Sequence, residues 1–79
     1  MFEKFIEENL ERDVKCFLHE SDLYARYLAF CEFHDLKPLT KTQLGNQLNN
    51  FNAGIRHKRT RNWVKEVGRQ GVKLLPCKY

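Results

Sequence analysis

The sequence predicts an α+β fold, mainly α, in which three or four helices are followed by a basic β-hairpin. Apolar residues recur at helical spacing from Phe2 to Phe51, and short β-prone segments follow Gly54. With six Phe, three Tyr and one Trp in 79 residues, the chain can close one small core. Helices followed by a basic hairpin are typical of a winged helix-turn-helix, so we expect residues 1–79 to form one such domain.

The first helix is predicted from an amphipathic repeat at the start of the chain. Its apolar positions are three and four residues apart, with acidic residues between them: Phe2, Phe5, Ile6 and Leu10. This repeat predicts a helix that ends near Arg12. Residues 13–20 fit either a continuation of the helix or an extended connection, and we favour the extended connection.

The second helix has the clearest signals in the sequence. Ser21 is a plausible N-cap and Asp22 suits the positive end of a helix dipole. One side of the helical wheel then collects six residues: Leu23, Tyr24, Tyr27, Phe30, Cys31 and His34. The helix should end before Pro38, because proline disfavours a helical conformation at the residue before it.

A third helix is predicted after Thr40, which can cap it. Leu44, Leu48 and Phe51 make a narrow apolar stripe. The opposite side carries uncharged polar residues: Thr42, Gln43, Asn46, Asn49 and Asn50. Gly45 interrupts this run, which indicates a tight turn between two short helices or a close approach to another helix. Asn and Gln are indifferent helix formers, so their abundance here indicates a role other than helix stability.

The hairpin is predicted from two β-prone segments, WVKEV and VKLL, joined by GRQG. The two glycines of GRQG permit the positive φ angles of a hairpin turn. Trp63, at the start of the first segment, is expected in the core more readily than stacked on a nucleic-acid base.

Charge is divided unevenly along the chain. Residues 1–36 carry four basic and nine acidic side chains, a net −5, whereas residues 37–79 carry ten basic side chains and one acidic, a net +9. Such a cationic half favours a polyanion, and nucleic acid is the predicted partner. An acidic protein partner and simple solubility are the alternatives.

The residue types predict two roles on DNA. A side-chain amide can donate and accept on one plane and so can read the edge of adenine, which makes Gln43, Asn46, Gln47 and Asn50 the candidate base-reading residues. Lys and Arg mostly hold phosphates. The candidate phosphate-binding residues are Lys41, Arg56, Lys58, Arg59, Arg61, Lys65, Arg69 and, at the end of the hairpin, Lys73.

Other classes of function find little support in the sequence. No nucleophile, general base and phosphate loop come together in it, so we expect a non-enzymatic domain without a cofactor. Cys16, His19, Cys31 and His34 could supply four zinc ligands. Cys31 and His34, however, lie one turn apart on the apolar side of the second helix, where packing is the favoured interpretation, and no metal site is predicted. The odd number of cysteines, with no leader and no membrane-length apolar run, predicts reduced thiols in the cytoplasm and no membrane contact.

The stretch SDLYARYLAFCEFHDLKPLTKTQLGNQL resembles the C-terminal winged-helix domain of poxvirus-type primase-helicases, which phages, plasmids and genomic islands also carry. The shared features are Phe5 with Glu7 and Glu8, Leu23-Tyr24 and Tyr27, Phe30-Cys31, Pro38-Leu39-Thr40, Leu44-Gly45 and Gly71-Val72-Lys73-Leu74. This resemblance implies that the chain is the C-terminal piece of a larger replication protein. It implies a replication origin as the target, with the ATP-dependent helicase domain of the same chain and its oligomer as partners.

The same core is similar to the regulatory factor X type of DNA-binding domain, which implies that the wing can enter the major groove as well as the helix. The basic loop IRHKRTRN lacks the Arg-Arg-Leu-Gly run of that family, so groove-reading residues are not carried over one by one.

The resulting prediction is a domain that binds double-stranded DNA. Two other classes of function stay open at this point. The basic hairpin could dock an acidic protein or a neighbouring subunit, or the domain could bind RNA or single strands with Trp63 and Tyr79 stacked on bases.

Overall fold

A computed structural model describes residues 2–79 apart from the side chains of Arg59 and Arg61. Its elements are, in chain order, α1 (Phe2–Asn9), β1 (Leu10–His19), α2 (Glu20–Phe33), α3 (Lys41–Asn50), β2 (Ile55–Arg61) and β3 (Val64–Leu74). The strands form one antiparallel sheet in the order β1-β3-β2. The α+β class is confirmed, with three helices over residues 2–79 and a third strand, β1, beside the hairpin.

The first helix is shorter than its apolar repeat predicted. α1 ends at Asn9, and residues 10–19 run beside β3 from the Leu10–Leu74 pair to the His19–Gly68 pair. The extended connection is therefore confirmed, and it is a full strand of the sheet. Leu10 and Leu18 turn into the core while Val14 is 83% exposed, at a bulge where β1 departs from regular pairing. A helix through residue 14 would have required Val14 on the buried stripe.

The two later helices follow their predicted patterns closely. α2 buries Leu23, Tyr27, Phe30 and Cys31, although it begins at Glu20, with His19 rather than Ser21 in the N-cap position. Thr40 caps α3 as predicted: its hydroxyl accepts from the Gln43 backbone N–H, and the Gln43 amide oxygen accepts from the Thr40 N–H. This capping box satisfies two N–H groups that the helix itself leaves unpaired.

The core lies between the helices and one face of the sheet. Its most deeply buried side chains are Phe5 and Phe30, whose rings meet edge to face, together with Leu48 and Val72. Leu44 and Leu48 anchor α3 to this core, which fixes the direction in which the outer side of α3 points. Packing of the apolar stripes therefore decides which polar side chains are displayed.

The hairpin turn is not where the glycines predicted it. β2 and β3 pair from Ile55–Gln70 to Arg61–Val64, and the turn is Asn62-Trp63. Both turn residues have positive φ, 50° and 67°, the backbone that a two-residue hairpin turn uses to match strand twist. GRQG lies inside β3, and Trp63 is 99% exposed, so its expected place in the core was wrong.

Neither Gly68 nor Gly45 lies in a turn, although the sequence predicted a turn at Gly68 and a turn or a close helix approach at Gly45. A Cβ on Gly68 would collide with the Leu18 carbonyl of β1 and lie 2.8 Å from a ring carbon of Phe17. Gly68 therefore permits the close approach of β1 to β3. Gly45 lies within an uninterrupted α3, and a Cβ there would meet no atom within 4 Å.

We expect Gly68→Ala to lower the free energy of unfolding by about 2 kcal/mol, because the strands must separate to admit the methyl group. Urea unfolding followed by circular dichroism measures this change. Gly45→Ala is the matched control and should raise the same quantity by about 0.5–1 kcal/mol, since alanine is the better helix former and the space is open. Equal effects at the two glycines would contradict this account of the packing of β1 against β3.

The lengths of the helices and the positions of the His, Cys, Asp and Glu side chains bear on whether the chain could hold a membrane span or a metal site. None of the helices found in residues 2–79 has both the length and the apolar character that a membrane crossing needs. Within the same described residues, no three His, Cys, Asp or Glu side chains converge as a metal site requires. Cys31 is 2% exposed and packs in the core, as its position on the apolar side of α2 predicted.

Candidate nucleic-acid interface

Strand alternation sorts the side chains of the hairpin, residues 55–74, onto two faces. We call this hairpin the wing. Residues paired across β2 and β3 share a face, so one face carries the pairs Arg56–Arg69, Lys58–Val67 and Thr60–Lys65. Arg56, Val67 and Arg69 line a cleft with residues of α2 and α3, which identifies this as the helix-side face. Three exposed cations of the wing therefore share one face: Arg56, Lys58 and Lys65.

The cleft joins the N-terminal end of α3 to the wing. Lys41 and Thr42 of α3 line it on one side, and Arg56 lines it on the wing side. Tyr24 of α2 forms part of the wall, and the Lys41 ammonium lies 5.5 Å from the centre of its ring. This cation–π contact holds Lys41 at the same cleft as Arg56. One cation of the helix and one of the wing therefore line a single cleft, which Glu20 of α2 also lines.

The outer side of α3 displays the amides that the sequence singled out, but they are not equivalent. Asn46 and Asn50 are exposed, and Gln47 is half-buried. Gln43 is exposed as well, yet its amide oxygen is engaged in the capping box with Thr40. Asn46 and Asn50 therefore present the most accessible donor and acceptor pairs of α3 among the four candidates.

Arg69 has a structural position instead of the phosphate contact predicted for it. The residue is 4% exposed, and its Nε donates to the Ala53 carbonyl at 2.7 Å. Its Nη2 donates to Asn49 Oδ1 at 2.7 Å and to the Gly54 carbonyl at 2.9 Å. Burial and the nearby Arg56 lower the pKa of Arg69, yet arginine stays protonated at neutral pH. The guanidinium thus ties β3 to α3 and to the loop that follows it.

The acidic half of the chain pairs with one of the predicted cations, Lys73. The Lys73 ammonium lies 3.2 Å from a carboxylate oxygen of Glu11 and 3.8 Å from one of Asp13, both on β1. These carboxylates raise the pKa of Lys73. Lys73 of β3 therefore pairs with carboxylates of β1 inside the protein.

The predicted phosphate-binding residues therefore fall into three groups. Lys41, Arg56, Lys58 and Lys65 are exposed at the cleft or on the helix-side face of the wing. Arg69 and Lys73 make contacts within the protein. Arg59 and Arg61 lie outside the described side chains, so their assignment rests on sequence.

Sequence reasoning misplaced two aromatic residues that the structure puts at the cleft and at the tip of the wing. Tyr24 was counted as core, and its place under Lys41 depends on the packing of α2 against α3. Trp63 was expected to be buried. Asn62 carried the signal that could have corrected this, because asparagine tolerates the left-handed conformation that a two-residue hairpin turn requires.

A family model described as the RFX DNA-binding domain matches residues 1–65. The matched range contains α1, β1, α2, α3, β2 and the turn, and it ends just after β3 begins. None of the curated proteins matches the chain. The match supports the resemblance to regulatory factor X and gives no support to the resemblance to primase-helicases.

Proposed function

Because the chain belongs to the RFX DNA-binding domain family, a family of non-catalytic winged-helix modules for double-stranded DNA, we propose that it contacts the duplex through α3 and the helix-side face of the wing together. The observation that carries this proposal is the cleft shared by Lys41 and Arg56. The cleft brings together cations from two elements that are separate in sequence, which supports a shared role in binding DNA.

Phosphate binding is assigned to the exposed cations of this surface. Lys41 and Arg56 lie at the cleft, and Lys58 and Lys65 continue along the wing. Spaced cations on one face can follow the charged backbone of a duplex, and each phosphate contact releases condensed counterions. Arg59 and Arg61 are assigned the same role from the sequence.

Base reading is assigned to the outer side of α3, with Asn46 and Asn50 as the main contacts and Gln43 and Gln47 beside them. Replacing Asn46 and Asn50 with Ala should reduce the preference for a selected target over random duplex by about tenfold or more, since a good bidentate amide contact is worth about 1–3 kcal/mol. Selection from a random-sequence duplex library supplies the target. Affinity for random duplex should change little, and an equal loss on both duplexes would contradict base reading by α3.

The proposed function is tested by titrating the 79-residue chain against labelled random-sequence duplex at several salt concentrations. We expect the logarithm of affinity to fall linearly with the logarithm of salt concentration. The slope should be about −3.6 if Lys41, Arg56, Lys58 and Lys65 each contact a phosphate, and about −5.4 if Arg59 and Arg61 do so too. Unlabelled single strand of the same sequence should compete less well than duplex. No binding at low salt, or capture of polyglutamate in place of duplex, would favour docking of an acidic protein.

A narrower proposal concerns biological context. Recognition of a replication origin, with a helicase domain of the same chain as partner, is supported by the sequence resemblance to primase-helicases alone. Footprinting of the full-length parent protein on its own replicon tests it. Protection confined to sites outside the origin would overturn it.

A further inference from the structure

Trp63 lies at the outermost point of the wing. It is the second residue of the two-residue turn between β2 and β3 and is 99% exposed. Its backbone has φ 67°, and that of Asn62 has φ 50°. A large apolar ring is thus held in solvent on a turn whose backbone is fixed by the strands on either side.

This placement has no benefit for the fold. An exposed indole gains none of the stabilisation of burial, and a left-handed backbone is less favourable for a residue with a Cβ than for glycine. Asn-Gly is the pair that such a turn favours, so glycine would satisfy position 63 at lower cost. An exposed residue in an unfavourable backbone region points to function.

The surroundings of Trp63 indicate what the ring meets. Lys65 follows two residues later on the helix-side face, and Lys58 lies on the same face of the neighbouring strand. Val64, directly after the tryptophan, is 61% exposed. The indole is a flat apolar group next to cations that are proposed to bind phosphates. The faces of DNA bases are also flat and apolar, and they lie inside the two phosphate backbones, so a base face is a suitable partner for the indole.

We propose that Trp63 is a base-stacking wedge: its indole inserts against the face of a base at an easily unstacked step of the duplex that the wing holds. The inference rests on the proposed function and adds a ligand preference to it. Pyrimidine–purine steps unstack most readily, so the wing should favour a duplex that offers such a step near its tip. The wing then contributes to selectivity through DNA deformability, separately from the amides of α3.

Trp63→Gly separates this role from folding. The urea midpoint of unfolding should stay close to that of the parent. Glycine removes the strain of the left-handed backbone, but it also gives the unfolded chain more conformational freedom, and the two effects oppose each other. Duplex affinity should fall by about 5-fold to 150-fold, the range expected from a stacking contact of about 1–3 kcal/mol. Trp63→Phe, which keeps a stacking ring, should recover part of the loss.

Trp63 is the single tryptophan of the chain, so its fluorescence reports on the indole directly. Duplex binding, measured independently by the anisotropy of a labelled duplex, should quench this emission and protect it from acrylamide. A duplex with 2-aminopurine at a pyrimidine–purine step should brighten as that base unstacks.

The outcomes distinguish the wedge from the proposed function. Duplex binding with full acrylamide access and unchanged affinity of Trp63→Gly would overturn the wedge and leave the proposed function intact. Stronger, Trp63-dependent binding to single strand would overturn the duplex wedge in favour of single-strand stacking. Failure of the parent chain to bind duplex at low salt would overturn both.

Discussion

Replacing Arg56, Lys58 and Lys65 together with Gln is expected to weaken duplex binding by roughly a hundredfold at moderate salt. A contact between unit charges in water is worth about 1 kcal/mol, so three lost contacts cost about 3 kcal/mol. The slope of log affinity against log salt should become shallower by about 2.7, since each neutralised phosphate contributes about 0.9 on a duplex. Anisotropy titrations with labelled duplex at several salt concentrations measure both quantities. The three side chains are exposed, so the free energy of unfolding should change little.

A second triple variant controls for net charge. Lys4, Lys15 and Lys78 are exposed residues outside the cleft and the wing, and their replacement by Gln removes the same three charges. Lys4 lies 3.8 Å from Glu8 on α1, in the acidic half of the chain. This control variant should lose only a few-fold in duplex affinity, and its slope of log affinity against log salt should stay close to that of the parent. Equal losses in the two triple variants would show that overall charge, and not the helix-side face of the wing, determines binding.

Arg69→Met is expected to cost about 3 kcal/mol of folding stability, the largest stability effect of any single cation in the described wing. The substitution removes three hydrogen bonds that the guanidinium donates. The carbonyl oxygens of Ala53 and Gly54 and the side-chain oxygen of Asn49 then lose Arg69 as their donor. Hydrogen bonds from charged groups are worth about 1.5–3 kcal/mol each, and a buried acceptor without a donor pays a further penalty. Urea unfolding measures the change.

Arg56 provides the matched control, because it pairs with Arg69 across β2 and β3 but is exposed. Arg56→Met should change stability by no more than about 0.5 kcal/mol while it weakens duplex binding. Arg69→Lys should recover part of the loss at most, since an ammonium cannot reproduce the forked contacts of a guanidinium. A stable Arg69→Met variant that has lost only salt-dependent DNA affinity would show that Arg69 binds phosphate after all.

Arg69 also fixes the position of the wing relative to α3. Its contacts join β3 to the side chain of Asn49 in α3 and to the loop carbonyls between α3 and β2. The two parts of the proposed DNA surface are thereby held in one arrangement before DNA is present. Such preorganisation reduces the ordering that binding must otherwise supply.

The local elements of the fold were predictable from sequence because they depend on neighbours in the chain. The apolar side of α2 and the Thr40 cap of α3 follow from spacings of three and four residues, and both are confirmed. The amides of α3 were located for the same reason: Leu44 and Leu48 fix which side of the helix is buried. β1 was identified only as an extended connection, because its partner β3 is some fifty or more residues away in the sequence.

The sequence by itself determined the helical order of the first half and the concentration of positive charge in the second. Only the tertiary structure decided which cations are available: Arg56, Lys58 and Lys65 are displayed, whereas Arg69 is buried. The same pairing of β2 with β3 placed the turn at Asn62-Trp63 and exposed the tryptophan. The physical reason is the register of strand pairing. A shift of the register by one residue would move each side chain to the other face of the sheet, and the register is set by contacts between residues that are distant in the chain.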